Sequence, residues 1–555
     1  MTARGRSSAA RELASGRDGQ SYDALRGAGG PAPWLRETTN VPRTSTSISK
    51  TRFQAGLRCQ RRLWLESYHR ELATPPDRAT RLRLAAGHRV GELARGRWPG
   101  GGLVDVAAAR HRRAVELTRV LLADVSVPAI FEAAFEADGV RIRADAIVRT
   151  RAGFELYEVK SSSRVKDEHV TDVAVQLHAI EGQGIPVTRV VLMHLDPKSV
   201  WNGGPYDPQA LFTAADITEQ ARAASARVAA ELPAMRWVLA RDDEPDIDIG
   251  RQCRQPYPCP FIPHCWRHAP VHHVTELPRA DAPLLDRLRA DGVDDIAQMP
   301  EGLYSLTELQ ERVRRGVVSG EVMFKRKPLR RALATITPPV TYLDFETFAP
   351  PLPIYPGTRP HEVIPFQWSA HIEAADGSLR HEEFLWTEAG DPRPRFIDSL
   401  LAALPGSGSI VVYSGYEQQR LEALAARFPQ SGRRLLERFR PRVVDLLAVV
   451  RGNVYHPWFH GSHSLKRVLP ALVPGRGYER LAVADAAAAY AELTMSDTDP
   501  ERRRQLENAL RDYRRADTRG EVDLVAALRA MSRSARSSDP NSAGPAGSAQ
   551  GGGSA

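Results

Sequence analysis

Asp344 and Glu346 stand two residues apart in the run Val340-Thr-Tyr-Leu-Asp-Phe-Glu-Thr-Phe348. The run reads as a strand, so both carboxylates leave the same face of a sheet. Two negative charges on one face are costly unless a cation neutralises them, and hard divalent metals prefer oxygen ligands. Far downstream, Tyr513 and Asp517 are spaced i, i+4 on a predicted helix, which stacks a phenol above a third carboxylate. Such a set suits two-metal phosphodiester hydrolysis. A second constellation lies in residues 141–160, where two alternating segments flank Arg151-Ala152-Gly153 and predict a β-hairpin. Asp145 falls on its first strand, while Glu158 and Lys160 share a face of the second. Two carboxylates holding a metal beside one ammonium also suit phosphodiester hydrolysis. The other reading of that trio is a cross-strand salt bridge on an exposed hairpin, worth little. The four cysteines of the chain are Cys59, Cys253, Cys259 and Cys265, three of them in a short Pro-rich stretch. Four thiolates there could hold one zinc ion or one iron–sulfur cluster.

The C-terminal set resembles the DnaQ-like exonucleases of the ribonuclease H fold. Leu343-Asp344-Phe345-Glu346-Thr347 matches their first motif and Tyr513-Arg514-Arg515-Ala516-Asp517 their last. Their middle acid corresponds to Glu417 in Ser414-Gly415-Tyr416-Glu417, a longer carboxylate than the family uses. The resemblance implies that Asp344, Glu346, Glu417 and Asp517 hold two metal ions, Mg²⁺ or Mn²⁺, with Tyr513 orienting the attacking water. Asp445 is either a further acid at a strand end or the cap of the following helix.

The N-terminal set resembles the RecB-like branch of the PD-(D/E)XK nucleases, whose core is Asp, then Glu-x-Lys, then a helix bearing Gln. Asp145, Glu158, Lys160 and Gln176 fill those positions. Gly87 is followed by Gly91 and Glu92, so Glu92 is the upstream metal-ligand candidate and His88 sits out of register. A lone N-terminal Cys joined to three near the end of the module is similar to RecB-like nucleases carrying a [4Fe-4S] cluster. Here five residues separate Cys253 from Cys259, where those families commonly have two, so Zn²⁺ stays the alternative at Cys59, Cys253, Cys259 and Cys265.

The elements that must position these groups divide a 555-residue chain. Residues 1–46, rich in Arg, Ser, Gly and Ala, and the low-complexity tail 532–555 read as disordered, and the former lacks the apolar core of a secretory signal. Between them lie a RecB-like module (47–275), a helical connector (276–336) and a DnaQ-like module (337–531). The expected class is therefore α/β: a PD-(D/E)XK mixed-sheet domain plus a ribonuclease H-like domain. In the connector, Leu284 to Val293 could open a helix–hairpin–helix element gripping a nucleic-acid backbone, though a packing connector is the preferred reading. Tyr455, Trp458 and Phe459 either stack unpaired bases or fill core.

The net charge of +9 is weak support for polyanion binding, because residues 1–52 hold nine Arg or Lys against four Asp or Glu. Local basic groups would have to steer a substrate: Arg58, Arg61 and Arg62, or Lys325, Arg326, Lys327, Arg330 and Arg331. No apolar run approaches bilayer length, and scarce cysteines fit a reducing cytoplasm. The expected function is a nuclease with two hydrolytic sites acting on nucleic acid, DNA before RNA, in repair, processing or defence. Helicases or repair and defence proteins are the partners such resemblances imply. The rival is a nucleic-acid-binding protein with one or both sites inactive and a structural metal cluster.

Overall fold

In a computed structural model that describes residues 47–477, 485–495 and 497–534, the alternating stretch around Gly153 forms paired strands. The first sheet comprises β1 (Ile48–Ser49), β2 (Gly102–Leu103), β3 (Ala129–Ala137), β4 (Val140–Thr150), β5 (Gly153–Lys160), β6 (Val187–Leu195) and β7 (Phe212–Asp216). Its order is β2-β3-β4-β5-β6-β7, with β1 pairing β4 in parallel. The strands β3, β4 and β5 form an antiparallel meander, whereas β6 runs parallel to β5. A parallel neighbour requires a crossover, and the helix Asp167–Glu181 supplies it. This helix is buried on most sides because the sheet and the helix Thr218–Leu239 both pack on it. Phe53, Leu63, Phe135, Ile147, Leu177 and Leu192 lie in the resulting core.

The second half contributes β8 (Met323–Phe324), β9 (Val340–Phe348), β10 (Ile364–Glu373), β11 (Leu379–Leu385), β12 (Ile410–Val412), β13 (Val443–Asp445) and β14 (Val454–Tyr455). Five of them form a sheet of order β11-β10-β9-β12-β13, and β8 pairs with β14 separately. The meander β9-β10-β11 is antiparallel, and β12 and β13 run parallel to β9. Every residue of β10 from Ile364 to Ile372 is buried. Helix Arg393–Ala403 and helix Pro500–Arg533 both pack on this strand. The molecule is thus mixed α/β, with more than one mixed sheet.

Helix Pro500–Arg533 starts where Asp499 accepts a hydrogen bond from the Arg502 amide at 2.9 Å and proline takes the first turn. Its buried stripe is apolar at both ends (Leu506, Leu510, then Leu524, Val525, Leu528) and polar in the middle (Tyr513, Arg514, Asp517, Thr518, Glu521). The helical stretch 276–336 has no core of its own: Leu285, Val313 and Leu329 share one with Val340, Leu446 and Leu528. After Gly292 the chain makes only the short turn Ile296–Gln298, not a second helix paired with Ala282–Ala290. Tyr455 and Phe459 fill that same core, while Trp458 is 52% exposed. The expectations for residues 1–46 and for the tail beyond 534 lie outside the described residues. Among the described residues no helix is long and apolar enough to cross a membrane.

His371 on β10 shares a 2.9 Å hydrogen bond with Thr518 of the long helix. Burial, then the positive neighbours His381 and Arg519, lower its pKa to about 4. His463 is lowered to about 4 by burial. Both side chains are neutral in the fold and take up protons on unfolding once the pH drops below their free value near 6.5. The contribution of these two histidines is therefore full above about pH 6.5 and declines towards pH 4, by at most about 1.4 kcal/mol per pH unit for each, against the opposite trend of the buried acids whose pKa is raised. In urea unfolding measured between pH 7 and pH 4.5, the wild type should lose stability relative to His371→Asn as the pH falls, the two slopes differing by about one proton.

Candidate functional site

In the first sheet, β4 and β5 place Asp145 and Glu158 beside the crossover helix. The Asp145 carboxylate accepts the Val159 amide at 2.7 Å. Glu158, 2% exposed, accepts from Lys160 at 2.6 Å, from Lys50 at 3.0 Å and from the Gln176 amide at 2.7 Å. Lys160 also pairs with Asp172, one turn before Gln176 on the same helix, and Lys50 lies 3.3 Å from Asp172. Burial alone would raise the pKa of Glu158, but Lys50 and Lys160 outweigh it and hold the group well below the usual carboxylate range. Lys50 and Lys160 also act on Asp145 but make no ion pair with it, and burial together with Glu158 outweighs them and raises it to about 7. Asp172 is likewise raised, by burial and then by Glu158. Burial would lower Lys160, yet Glu158 and Asp172 raise it, so it stays an ammonium: a charge and a donor, not a base. A cavity of about 370 Å³ opens beside it, lined by Lys160, Arg164, Lys166, His169 and His361.

The expectation for Glu92 is corrected. Helix Arg78–Arg95 buries Val90 and Ala94, and Glu92 lies off that face, half exposed and paired with Arg89 at 3.0 Å. Lys50 and Asp172 occupy this site instead, and neither was expected there. Asp172 carries a readable signal, its i, i+4 spacing to Gln176. Lys50 meets Glu158 across 108 positions of chain and has no local signal.

In the second sheet, Asp344 and Glu346 project from β9 towards the polar middle of helix Pro500–Arg533. One guanidinium, that of Arg514, donates to both of them and lies 3.3 Å from Asp517. Glu417 enters from the first turn of helix Tyr416–Arg427. It is buried with Oε2 lacking a hydrogen-bond partner, and burial and Asp344 raise its pKa well above the usual range. Glu521, one turn beyond Asp517, is fully buried with both oxygens unpaired; burial and then Asp344, Glu417 and Asp517 raise it in the same direction. Five carboxyl groups thus gather about the Arg514 guanidinium, and two of them, Glu417 and Glu521, are pushed towards the neutral form. Burial, then Asp517 and Asp344, keep Tyr513 protonated, a phenol able to donate a hydrogen bond. Asp445 caps helix Leu446–Asn453 by accepting the Ala448 amide at 2.8 Å. Arg514 and Glu521 were missed by the sequence reading, although each sits at helical spacing from Asp517.

The thiols converge without closing. Burial raises the pKa of Cys59, with Cys253 and Cys259 adding to the shift, and raises Cys265 to about 11 with Cys259 and Cys253 again contributing. No three of the Sγ atoms lie within 4.8 Å of one another, nor do any three carboxylates of the two sites above. Arg58 donates to the carbonyls of Gln252 and Tyr257, so it braces the cysteine-bearing loop.

A family model described as a domain of unknown function (DUF2779) matches residues 341–464. That stretch holds Asp344, Glu346, Glu417 and Asp445, and leaves out Tyr513 and Asp517. No curated protein matches the chain. A solved structure entitled "Crystal structure of SSO0001" is similar at 17% identity and a TM-score of 0.21, over 40% of this chain and 86% of that one. At that TM-score the likeness transfers neither fold nor role.

Removing a partner from a buried ion pair costs about 3–5 kcal/mol. Arg514→Met should therefore destabilise the protein by about that amount in chelator. Saturating Mg²⁺ or Mn²⁺ should restore much of it, because a divalent cation can replace the guanidinium among five acids. A melting temperature of the variant that ignores both ions would make Arg514 the permanent counter-ion of an inert site.

Proposed function

We propose that this chain is a metal-dependent nuclease with two hydrolytic sites, a RecB-like PD-(D/E)XK site on the first sheet and a DnaQ-like site on the second. The observation that carries this reading is the crowding of five carboxyl groups, Asp344, Glu346, Glu417, Asp517 and Glu521, about Arg514, with Glu417 and Glu521 buried, short of hydrogen-bond partners and pushed towards the protonated form unless a cation joins them. A set of oxygen donors with orphaned lone pairs fits a hard divalent cation. The sheet order, an antiparallel meander followed by two parallel strands with an acid just beyond β12, supports the ribonuclease H-like assignment. Asp145, Glu158 and Lys160 on adjacent strands, with Gln176 on the crossover helix, support the other.

Asp344, Glu346, Glu417 and Asp517 would hold Mg²⁺ or Mn²⁺ in one site, and Asp145 and Glu158 in the other. Bound there, such an ion supplies a metal-activated water and neutralises phosphate charge. Tyr513, kept protonated, donates a hydrogen bond that can orient the attacking water. Lys160 places a fixed positive charge where negative charge develops on phosphate, and Gln176 holds Glu158 in one rotamer. The basic cavity beside Lys160 suits a phosphodiester backbone of either sugar, so DNA is preferred on the resemblance to repair-type nucleases alone.

The four thiols come near enough that Cys253 and Cys259 bear on the titration of both Cys59 and Cys265, which supports a shared metal centre. The resemblance to cluster-bearing RecB-like nucleases favours iron and sulfur over a single Zn²⁺. A [4Fe-4S] cluster is the proposed occupant of Cys59, Cys253, Cys259 and Cys265. Protein purified without oxygen should be brown and carry four irons for each chain, about the complement of such a cluster. Cys253→Ser and Cys259→Ser should lose both colour and iron, and stoichiometric zinc in colourless protein would assign Zn²⁺ instead.

A second reading is favoured by the internal counter-ions. Arg514 in one site and Lys50 with Lys160 in the other partly neutralise the acids, as a binding protein with retired sites would require. End-labelled single- and double-stranded DNA and RNA, incubated with Mg²⁺ or Mn²⁺, separate the two readings. Lys160→Ala or Asp344→Ala should each lower cleavage at its own site by about 100-fold or more, and the double variant should abolish it. Folded, cluster-loaded protein that binds these substrates and cleaves none is the binding protein.

A further inference from the structure

Among the described residues one group of three His, Cys, Asp or Glu side chains brings its ligand atoms within 4.8 Å of one another, and it belongs to neither nuclease-like site. It consists of His272, Glu276 and His460. His460 Nδ1 lies 3.1 Å from one Glu276 oxygen and 3.2 Å from the other. His272 Nδ1 lies 3.5 Å from Glu276 Oε2, and it is a buried ring nitrogen without a hydrogen-bond partner. The two imidazoles stack with centroids 5.2 Å apart. Tetrahedral Zn²⁺ with bonds of about 2.0–2.1 Å sets its ligands about 3.4 Å apart, and these carboxylate–imidazole separations bracket that value.

The backbone is committed to this arrangement from both sides. His272 precedes the turn Val274–Glu276 and Glu276 closes it, an i, i+4 pair. His460 adopts the left-handed conformation, φ 49°, which is uncommon for a residue with a side chain. Gly461 follows at φ 70°, where a Cβ would stand 1.8 Å from the Glu276 carbonyl oxygen. Only glycine allows the loop to press so closely on the turn. All three side chains keep some exposure, 15% for His272, 22% for Glu276 and 19% for His460, so an ion can reach the group from solvent.

We propose that His272, Glu276 and His460 form a site for a borderline transition-metal dication, Zn²⁺ foremost. Two imidazoles and one carboxylate select such an ion over Mg²⁺, which demands oxygen. The site ties the segment following the cysteine-bearing module to the loop after β14. It stands apart from the nuclease reading and does not depend on it.

The test uses chelator-treated full-length protein held in excess Mg²⁺, so that the all-oxygen sites are occupied, and titrates it with Co²⁺ as a spectroscopic substitute for Zn²⁺. The wild type should bind Co²⁺ with a visible ligand-field band and no thiolate-to-cobalt charge transfer. Glu276→Gln and His460→Ala should weaken that binding by at least about 100-fold, the upper figure for disturbing only the outer support of a ligand. Zn²⁺ should raise the melting temperature of the wild type and leave that of Glu276→Gln unchanged. Should His460→Ala fail to fold, the near-isosteric Glu276→Gln decides the matter. Equal Co²⁺ affinity in wild type and Glu276→Gln, or a spectrum made of thiolate charge transfer alone, would reduce the trio to a hydrogen-bonded contact and overturn the proposal.

Discussion

The crowding of five carboxyl groups over the second sheet is the constraint around which that half of the molecule is arranged. Asp344 and Glu346 leave one face of β9 because strand residues alternate, and the helix laid over that face presents Asp517 and Glu521 back to them. Ionised together, and without Arg514 between them, these acids would drive the layers apart. Apolar anchors at both ends of the helix prevent it: Leu506 and Leu510 enter one core and Leu524, Val525 and Leu528 another. Each such side chain contributes about 1.5–3 kcal/mol on burial, on the scale of the several kcal/mol that each desolvated ion costs. The polar middle of the helix is thus held in place by what flanks it. That is the general condition for a preorganised charged site, whose own members repel.

The two sites meet the same difficulty differently. Around Arg514 the carboxylates share one planar fork, which can reach two acids at once but is a single charge. Around Glu158 two ammonium groups arrive from separate elements, Lys50 from the first helix and Lys160 from β5. The outcome is asymmetric: Glu158 is fully satisfied and strongly ionised, while Asp145, with one amide and no cation in contact, is left near neutrality in its titration. Neighbouring acids whose titrations are pushed in opposite directions are enriched at functional sites, as they also are in structural ion-pair networks.

Local periodicity made the strand-borne acids legible. Asp-x-Glu on a strand, Glu-x-Lys on a hairpin and Tyr-x-x-x-Asp on a helix are patterns of period 2 and 3.6, and the residues lie on those elements. Lys50 and the His272–Glu276–His460 group were not legible, because they depend on contacts across 108 and 184 positions that no short window contains. Glu92 shows the reverse: a motif position was filled by a plausible residue, but the helix buries Val90 and Ala94 and turns Glu92 outward. The shared core of residues 276–336 with the second sheet was hidden for a similar reason. A helical connector and a helical layer have the same amphipathic pattern, and only the partner surface distinguishes them.

The two halves are joined at more than one place, and this bears on how their sites relate. The loop leaving β9 reaches the first module, where the Tyr206 hydroxyl donates to the Pro353 carbonyl at 2.7 Å, Gly357 donates to Trp201 at 2.7 Å and Trp201 to Thr358 at 2.9 Å. His361 ends the same loop 2.6 Å from the Ser161 carbonyl, the residue after Lys160. A separate tie joins helix Arg78–Arg95 of the first module to helix Ala486–Leu493 of the second, where Arg78 pairs with Glu492 at 2.5 Å. Two modules linked by a single flexible connection hinge freely. Ties at separated points remove that freedom, since rotation about either one strains the other. The orientation of the candidate sites is therefore a property of the fold, and the loop between β9 and β10, which starts beside Glu346 and finishes beside Lys160, is the element that fixes it.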